Sequence, residues 1–165
     1  MEAEFGGHMH RFAVLSLLAL AACGQQSDTD RNGPMPEVVN AAATAQHSAD
    51  QKAAQAVASR YLAHLSAGEF KEARALWEDD GAASGGSAAD LKRAYDGYAA
   101  WKGRAGEVSE ISRSTGRQNV IVTAYASATT KRTGETRDMN GFVYLRRPND
   151  QAVWRIWGVD IRRRN

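Results

Sequence analysis

Residues 119–130 read NVIVTAYASATT, residues 137–146 read RDMNGFVYLR and residues 152–162 read AVWRIWGVDIR. Apolar side chains recur at every second position through these runs, the period of a strand with one buried face. A weaker run of the same kind precedes them at Glu107–Ser114. Thr115-Gly116-Arg117, Thr133-Gly134 and Pro148-Asn149-Asp150 separate the runs, and each carries turn-forming residues. Links this short make neighbouring strands antiparallel. The C-terminal half is therefore predicted as a four-stranded meander.

Upstream, the apolar spacing changes to three and four. Ser48-Ala-Asp-Gln51 is a capping-box pattern, and Ala54, Val57, Ala58, Tyr61, Leu62 and Leu65 follow on one helical face. Gly68 stops that first helix near Ala67. A second helix is expected over Glu69–Glu78, with Phe70, Ala73, Leu76 and Trp77 inward. It ends in Glu78-Asp79-Asp80, which opposes the helix dipole unless a cation or a basic strand faces it. Gly81–Gly86 is a loop. Ser87-Ala-Ala-Asp90 starts a third helix carrying Leu91, Ala94, Tyr95, Tyr98 and Trp101, and Lys102-Gly103 ends it. The fold class is α+β, with three N-terminal helices packed on a four-stranded antiparallel meander sheet.

The chain has 165 residues, of which 43% are apolar and 24% charged, and its net charge is +2. That fits one globular domain and gives no reason to expect a nucleic-acid partner. A single cysteine excludes a disulfide framework and a Cys-rich metal site. The C-terminal part, Trp101–Asn165, is basic, with 13 basic against 6 acidic residues. Its Arg162-Arg163-Arg164 tail could touch anionic headgroups or an acidic partner, or simply be solvated.

Phe12–Ala22 reads FAVLSLLALAA, an uncharged run behind Arg11. It is too short to span a bilayer, which takes about 20 residues, and it fits the apolar region of a secretory signal. Met1–His8 is acidic and glycine-bearing, so Met9 makes the better start. The run ends Leu20-Ala21-Ala22-Cys23-Gly24, which resembles the bacterial lipobox. The resemblance implies cleavage before Cys23, a diacylglyceryl thioether on its sulfur and acylation of the new amine. Gly24, rather than Asp, after the cysteine implies the outer membrane over the inner. Residues 1–22 are then a signal peptide. Cys23 is the lipidation site, and residues 23–47 form the lipidated start and a flexible tether. Gly24–His47 holds two of the three prolines and no aromatic residue, and would hold the domain about 25–30 Å from the bilayer.

The domain, residues 48–165, resembles the NTF2-like (SnoaL-like, cystatin-like) α+β cone. The likeness rests on a long first helix, the link Gly68-Glu69-Phe70 and a last strand reading Val153-Trp154-Arg155-Ile156. It implies a cone that holds a pocket, and in some members a homodimer through the sheet. No catalytic motif comes with it.

Estimating register from the turns pairs Tyr125 with Phe142 and Thr123 with Tyr144. In the next hairpin it pairs Tyr144 with Trp154, Phe142 with Ile156 and Asp138 with Asp160. One face then holds Val122, Ala124, Ala126, Val143, Leu145, Trp157, Val159 and Ile161 against the helices. The other holds Tyr125, Phe142, Tyr144, Trp154 and Ile156, too aromatic for plain solvent. Tyr125, Phe142, Tyr144, Trp154 and Trp157 are the candidate ligand-pocket or interface residues. Asp138, Asp160 and Tyr144 are the candidate catalytic set, since two close carboxylates can share a proton. The opposing reading is that the aspartates are solvated or paired with Arg137 and Arg162. His47 and His64 have no partner at ligand spacing, and no phosphate loop, dinucleotide motif, zinc-protease helix or serine elbow occurs. No metal and no cofactor is therefore expected.

Three functions remain. The leading one is a membrane-anchored periplasmic lipoprotein that binds a small ligand or an envelope protein without catalysis. The second is a pocket isomerase, dehydratase or hydrolase using a carboxylate and a tyrosine. The third is a structural envelope protein with a permanent sheet interface. An enzyme needs a cavity holding a carboxylate of raised pKa. A binder needs only the cavity. A cone plugged by Trp101, Tyr98 and Leu65 ends both.

Overall fold

The structure is a computed structural model that describes residues 37–79 and 86–163. The signal stretch, Cys23, residues 24–36 of the expected tether, most of the Gly81–Gly86 loop and Arg164 lie outside the described residues. In chain order the elements are α1 (Glu37–Ala67), α2 (Phe70–Ala75), α3 (Ala88–Tyr95), β1 (Tyr98–Val108) and β2 (Ser112–Ser114), then β3 (Arg117–Thr130), β4 (Thr136–Pro148) and β5 (Arg155–Arg163). Strands β1, β3, β4 and β5 lie side by side in that order, and short β2 pairs with the start of β3. Helices pack against an open antiparallel sheet, so the class is α+β. The sheet has five strands where the sequence predicts four.

Helix α1 starts at Glu37, well ahead of Ser48, so residues 37–47 are helical. Nothing after Pro36 breaks that stretch, and its alanines are the strongest helix formers. Among the described side chains burial begins at Asp50, and Ala54, Val57, Ala58, Tyr61, Leu62 and Leu65 form the predicted inner face. Gly68, at φ +75°, ends the helix.

Helix α2 is shorter than expected, because the backbone after it turns to the sheet. The Ile156 amide donates to the Leu76 carbonyl at 3.0 Å, and Trp77 bridges to Ile156. The acidic cluster finds its cation here. Arg146 Nε donates to Glu78 Oε2 at 2.5 Å, and Arg117 lies 3.9 Å from Oε1.

Helix α3 keeps its predicted capping box but ends at Tyr95, and Tyr98–Trp101 open β1 instead. Asp96-Gly97 is the turn that the helical spacing of Tyr95, Tyr98 and Trp101 concealed. Those rings still pack together, with Tyr95 at 6.2 Å from Tyr98 and 5.3 Å from Trp101.

Strand β3 pairs Thr123 with Phe142 and Tyr125 with Asn140, two residues from the expected register. An even shift keeps every side chain on its face. Against β5 the expected register fails. Phe142 pairs with Asp160 and Tyr144 with Gly158, and a bulge follows before Leu145 meets Ile156. The bulge swaps faces on β5. Ile156 turns into the core, fully buried, and Trp157 turns outward. Trp154, expected on the outer face, is 2% exposed beneath the Arg147 guanidinium. Gly141 lets β5 approach, since a Cβ there would sit 1.8 Å from the Asp160 carbonyl oxygen.

The start of the packed part of α1 is fastened to the sheet by a buried ion pair. Arg147 Nη2 donates to Asp50 Oδ2 at 2.6 Å and to Gln118 Oε1 at 2.9 Å. Gln51 and Gln55 add bonds to the carbonyls of Ser109 and Gly106.

Candidate functional site: the cone cavity

Between the helices and β5 lies a hollow of about 480 Å³. Tyr61 of α1, with Arg74 and Trp77 from α2 and the turn after it, forms one wall. Asp90, Leu91, Ala94 and Tyr95 of α3 form the second, and Trp157, Val159 and Ile161 the third. Leu65 and Trp101 are buried and Tyr98 is half-buried, but they fill the β1 side and leave the β5 side hollow. The size suits a small organic ligand.

Arg74 reaches this wall from the inward face of α2, one helical turn from Phe70, and is 7% exposed. Its guanidinium carbon lies 4.4 Å above the Trp77 ring, and Nη2 donates to the Gly86 carbonyl. Tyr61 meets Trp77 edge-on at 6.1 Å. Burial pushes the Tyr61 phenol well above its ordinary pKa. Burial, with the neighbouring Tyr98, pushes Tyr95 up to about 12. Both phenols are neutral donors at physiological pH. Among the described residues, Asp90 is the one carboxylate on these walls. The Ser87 hydroxyl and amide donate to its Oδ2, each at 2.6 Å, and Arg93 donates to Oδ1. The Ser87 bonds, with Arg93, hold Asp90 below the usual carboxylate range. Asp90 is thus an ionised cap at neutral pH, not a proton shuttle.

The predicted residues lie elsewhere. Tyr125, Phe142 and Trp157 stand on the open face of the sheet at 38%, 45% and 43% exposure. Half-buried Tyr144 lies 6.2 Å from Phe142 and 5.6 Å from Trp157. Trp157 also reaches the cone's rim, while Trp154 belongs to neither surface. Asp138 and Asp160 are not neighbours: Asp138 pairs with Ser127, and Asp160 pairs with Phe142 and bonds Arg162 at 2.5 Å. The shifted β4–β5 register separates them, and Tyr144 pairs with Ile121 and Gly158, not with either aspartate. The expected acid/base set does not assemble.

A wider groove of about 700 Å³ crosses the open face between Lys102, Arg104, Tyr125, Asp138 and Asn140. That groove is lined by the neighbouring strands β1, β3 and β4, whereas the cone hollow takes its lining from three helices and β5. His64 bonds Glu69 at 2.7 Å and His47 lies 3.0 Å from Glu110. Among the described residues, no three His, Cys, Asp or Glu side chains gather as a metal would require, and no helix is long and apolar enough to cross a membrane.

No family model matches the chain, and no curated protein does. Solved structures do. The Kfla4162 protein from Kribbella flavida superposes with a TM-score of 0.52 at 13% identity, covering 70% of this chain and 91% of that one. The two share a fold of helices packed on an open antiparallel sheet. A candidate scytalone dehydratase from Novosphingobium aromaticivorans gives 0.46 at 14% identity, covering 78% of this chain and 86% of that one. Aln2 from a Streptomyces species gives 0.41 at 15%, covering 79% and 93%. The likeness is one of fold.

Sequence reasoning missed the cone walls. One signal for them was present. Phe70, Ala73, Arg74 and Trp77 share one helical face, so Arg74 stands where an apolar residue was due.

Proposed function

We propose that this NTF2-like domain binds a small organic ligand in the cone and does no chemistry on it. The observation that carries this is the hollow between α3 and β5, whose one carboxylate among the described residues is committed to a helix cap. An acid–base step run by a carboxyl needs one free to exchange a proton, and no other described carboxyl lines the hollow. We further propose that the domain is held at the envelope, outer membrane favoured, by lipid on Cys23. The Leu20-Ala21-Ala22-Cys23 sequence supports that part. A second reading concerns the open sheet face. Its exposed Tyr125, Phe142 and Trp157 support an interface with a second copy or an envelope protein.

The binding proposal is tested by screening small aromatic and aliphatic molecules against the full chain carrying Cys23→Ser, followed by amide NMR. Binders should shift Leu91, Ala94, Tyr95, Val159 and Ile161, and Ala94→Trp should abolish the shifts by filling the hollow. Shifts confined to Tyr125 and Phe142 would move the site to the open face and overturn it. For the anchor, Cys23→Ser should end metabolic labelling by palmitate; persistent labelling would refute it.

A further inference from the structure

The open face of the sheet carries charges that find no partner within the chain. Lys102 on β1 and Asp138 on β4 are exposed, and among the described residues neither makes an ion pair. The register sets them on one line across the sheet, since Lys102 pairs with Ser127 and Ser127 with Asp138. Paired residues share a face, so the two charges flank β3, each about 4.8 Å from it at the backbone. The next line reads Arg104, Tyr125, Asn140 and Arg162. Arg104 stacks on the Tyr125 ring at 4.3 Å and likewise has no carboxylate partner among the described residues. These residues, Arg162 apart, line the groove of about 700 Å³, which leaves room for side chains from another surface.

An isologous contact between two such faces has its two-fold axis lying between them, and an axis parallel to the strands exchanges the strands on either side of the one it follows. An axis along β4 would bring Asp138 against the partner's Asp138. An axis between β3 and β4 would bring Arg104 against the partner's Arg162. Like charges placed this way oppose association. An axis along β3 brings Lys102 against the partner's Asp138, and Asp138 against the partner's Lys102. It also sets Arg104 against the partner's Asn140, and only the neutral Tyr125 and Ser127 then face their own copies. Facing sheets lie about 10 Å apart, a gap that a lysine and an aspartate side chain span together. We propose that the open face docks a second copy of this chain about a two-fold axis along β3, fixed by two equivalent contacts between Lys102 and the partner's Asp138. This rests on the open-face reading above, and names its occupant and register.

The test is self-association of the full chain carrying Cys23→Ser, measured by sedimentation equilibrium, with Lys102→Glu, Asp138→Lys, both changes or neither. Both side chains are exposed, so the variants should fold, which circular dichroism checks. The parent should be a dimer, and rising salt should weaken it, with no variant needed. Each single variant puts two pairs of like charge into the contact and should weaken association at least about tenfold. Carrying both changes should restore it. Mixing the two single variants should restore it too, because every charge in the mixed dimer again meets its opposite. A dimer indifferent to salt or to both single changes, or folded single variants that fail to complement, would overturn the β3 axis and leave an interface with a second copy standing. A strictly monomeric parent would overturn the second copy as occupant as well, and leave the open face to an envelope protein.

Discussion

Asp50→Asn should destabilise the domain far more than an ordinary charge-to-amide change. Asp50 and Arg147 are each 7% exposed, and their contact is 2.6 Å. Removing one partner of a buried ion pair costs about 3–5 kcal/mol, because the remaining charge stays out of water without its counter-charge. Asparagine keeps the shape, and the Gln118 and Ala152 oxygens still accept from Arg147, so the loss should fall near the lower end, about 3 kcal/mol. For a domain of this size that lowers Tm by about 10 °C. The assay is urea unfolding followed by tryptophan fluorescence, which reports Trp154 beneath Arg147. The midpoint should fall with little change of slope. Arg147→Met in the same background should recover part of the loss, because no buried charge is then left alone. A fall below about 1 kcal/mol, the scale of a surface pair, would refute the reasoning.

Gly141→Ala should push β5 off β4, since the new Cβ meets the backbone at Asp160 and Ile161. Amide exchange on β5 should accelerate strongly, and unchanged protection would contradict the close approach. Tyr95 predicts an alkaline limit. A phenol whose folded pKa lies above its unfolded value of 10.0 adds stability that is full below pH 10 and lost as pH rises toward 12. Tyr95→Phe should flatten that fall, and an identical alkaline unfolding curve would count against its burial. Phe142→Asp should leave the fold intact, because the side chain is 45% exposed. If the open face joins copies, light scattering should show that variant as a monomer beside an oligomeric parent. An equal mass for both would remove the homodimer reading.

The parts legible in the sequence were those governed by local rules. The inner faces of α1, β3 and β4, the stop at Gly68, the Ser87 cap and the glycine turns at Gly116 and Gly134 follow from period and turn chemistry. What was hidden depended on contacts distant in sequence. Trp77 and Ile156 meet across the fold to cut α2 short. One extra residue opposite Tyr144 reverses Trp157 and Ile156, and no local signal marks it. Separately, the β4–β5 register lies four residues from the expected one, with Phe142 opposite Asp160 rather than Ile156, and this dissolves the Asp138–Asp160 pair on which the catalytic reading stood. The helical reading of Tyr98–Trp101 fails because aromatic spacing masks the turn signal of Asp96-Gly97. The cone walls draw on three helices and the last strand, so no window of sequence could have displayed them together.

The account stands on an accessible hollow between α3 and β5. A crystal of the full chain carrying Cys23→Ser, pressurised with xenon, examines this directly, because xenon enters apolar cavities. The gas should appear among Leu91, Tyr95 and Ile161. Absence of xenon there, with α3 packed down onto β5, would contradict the account.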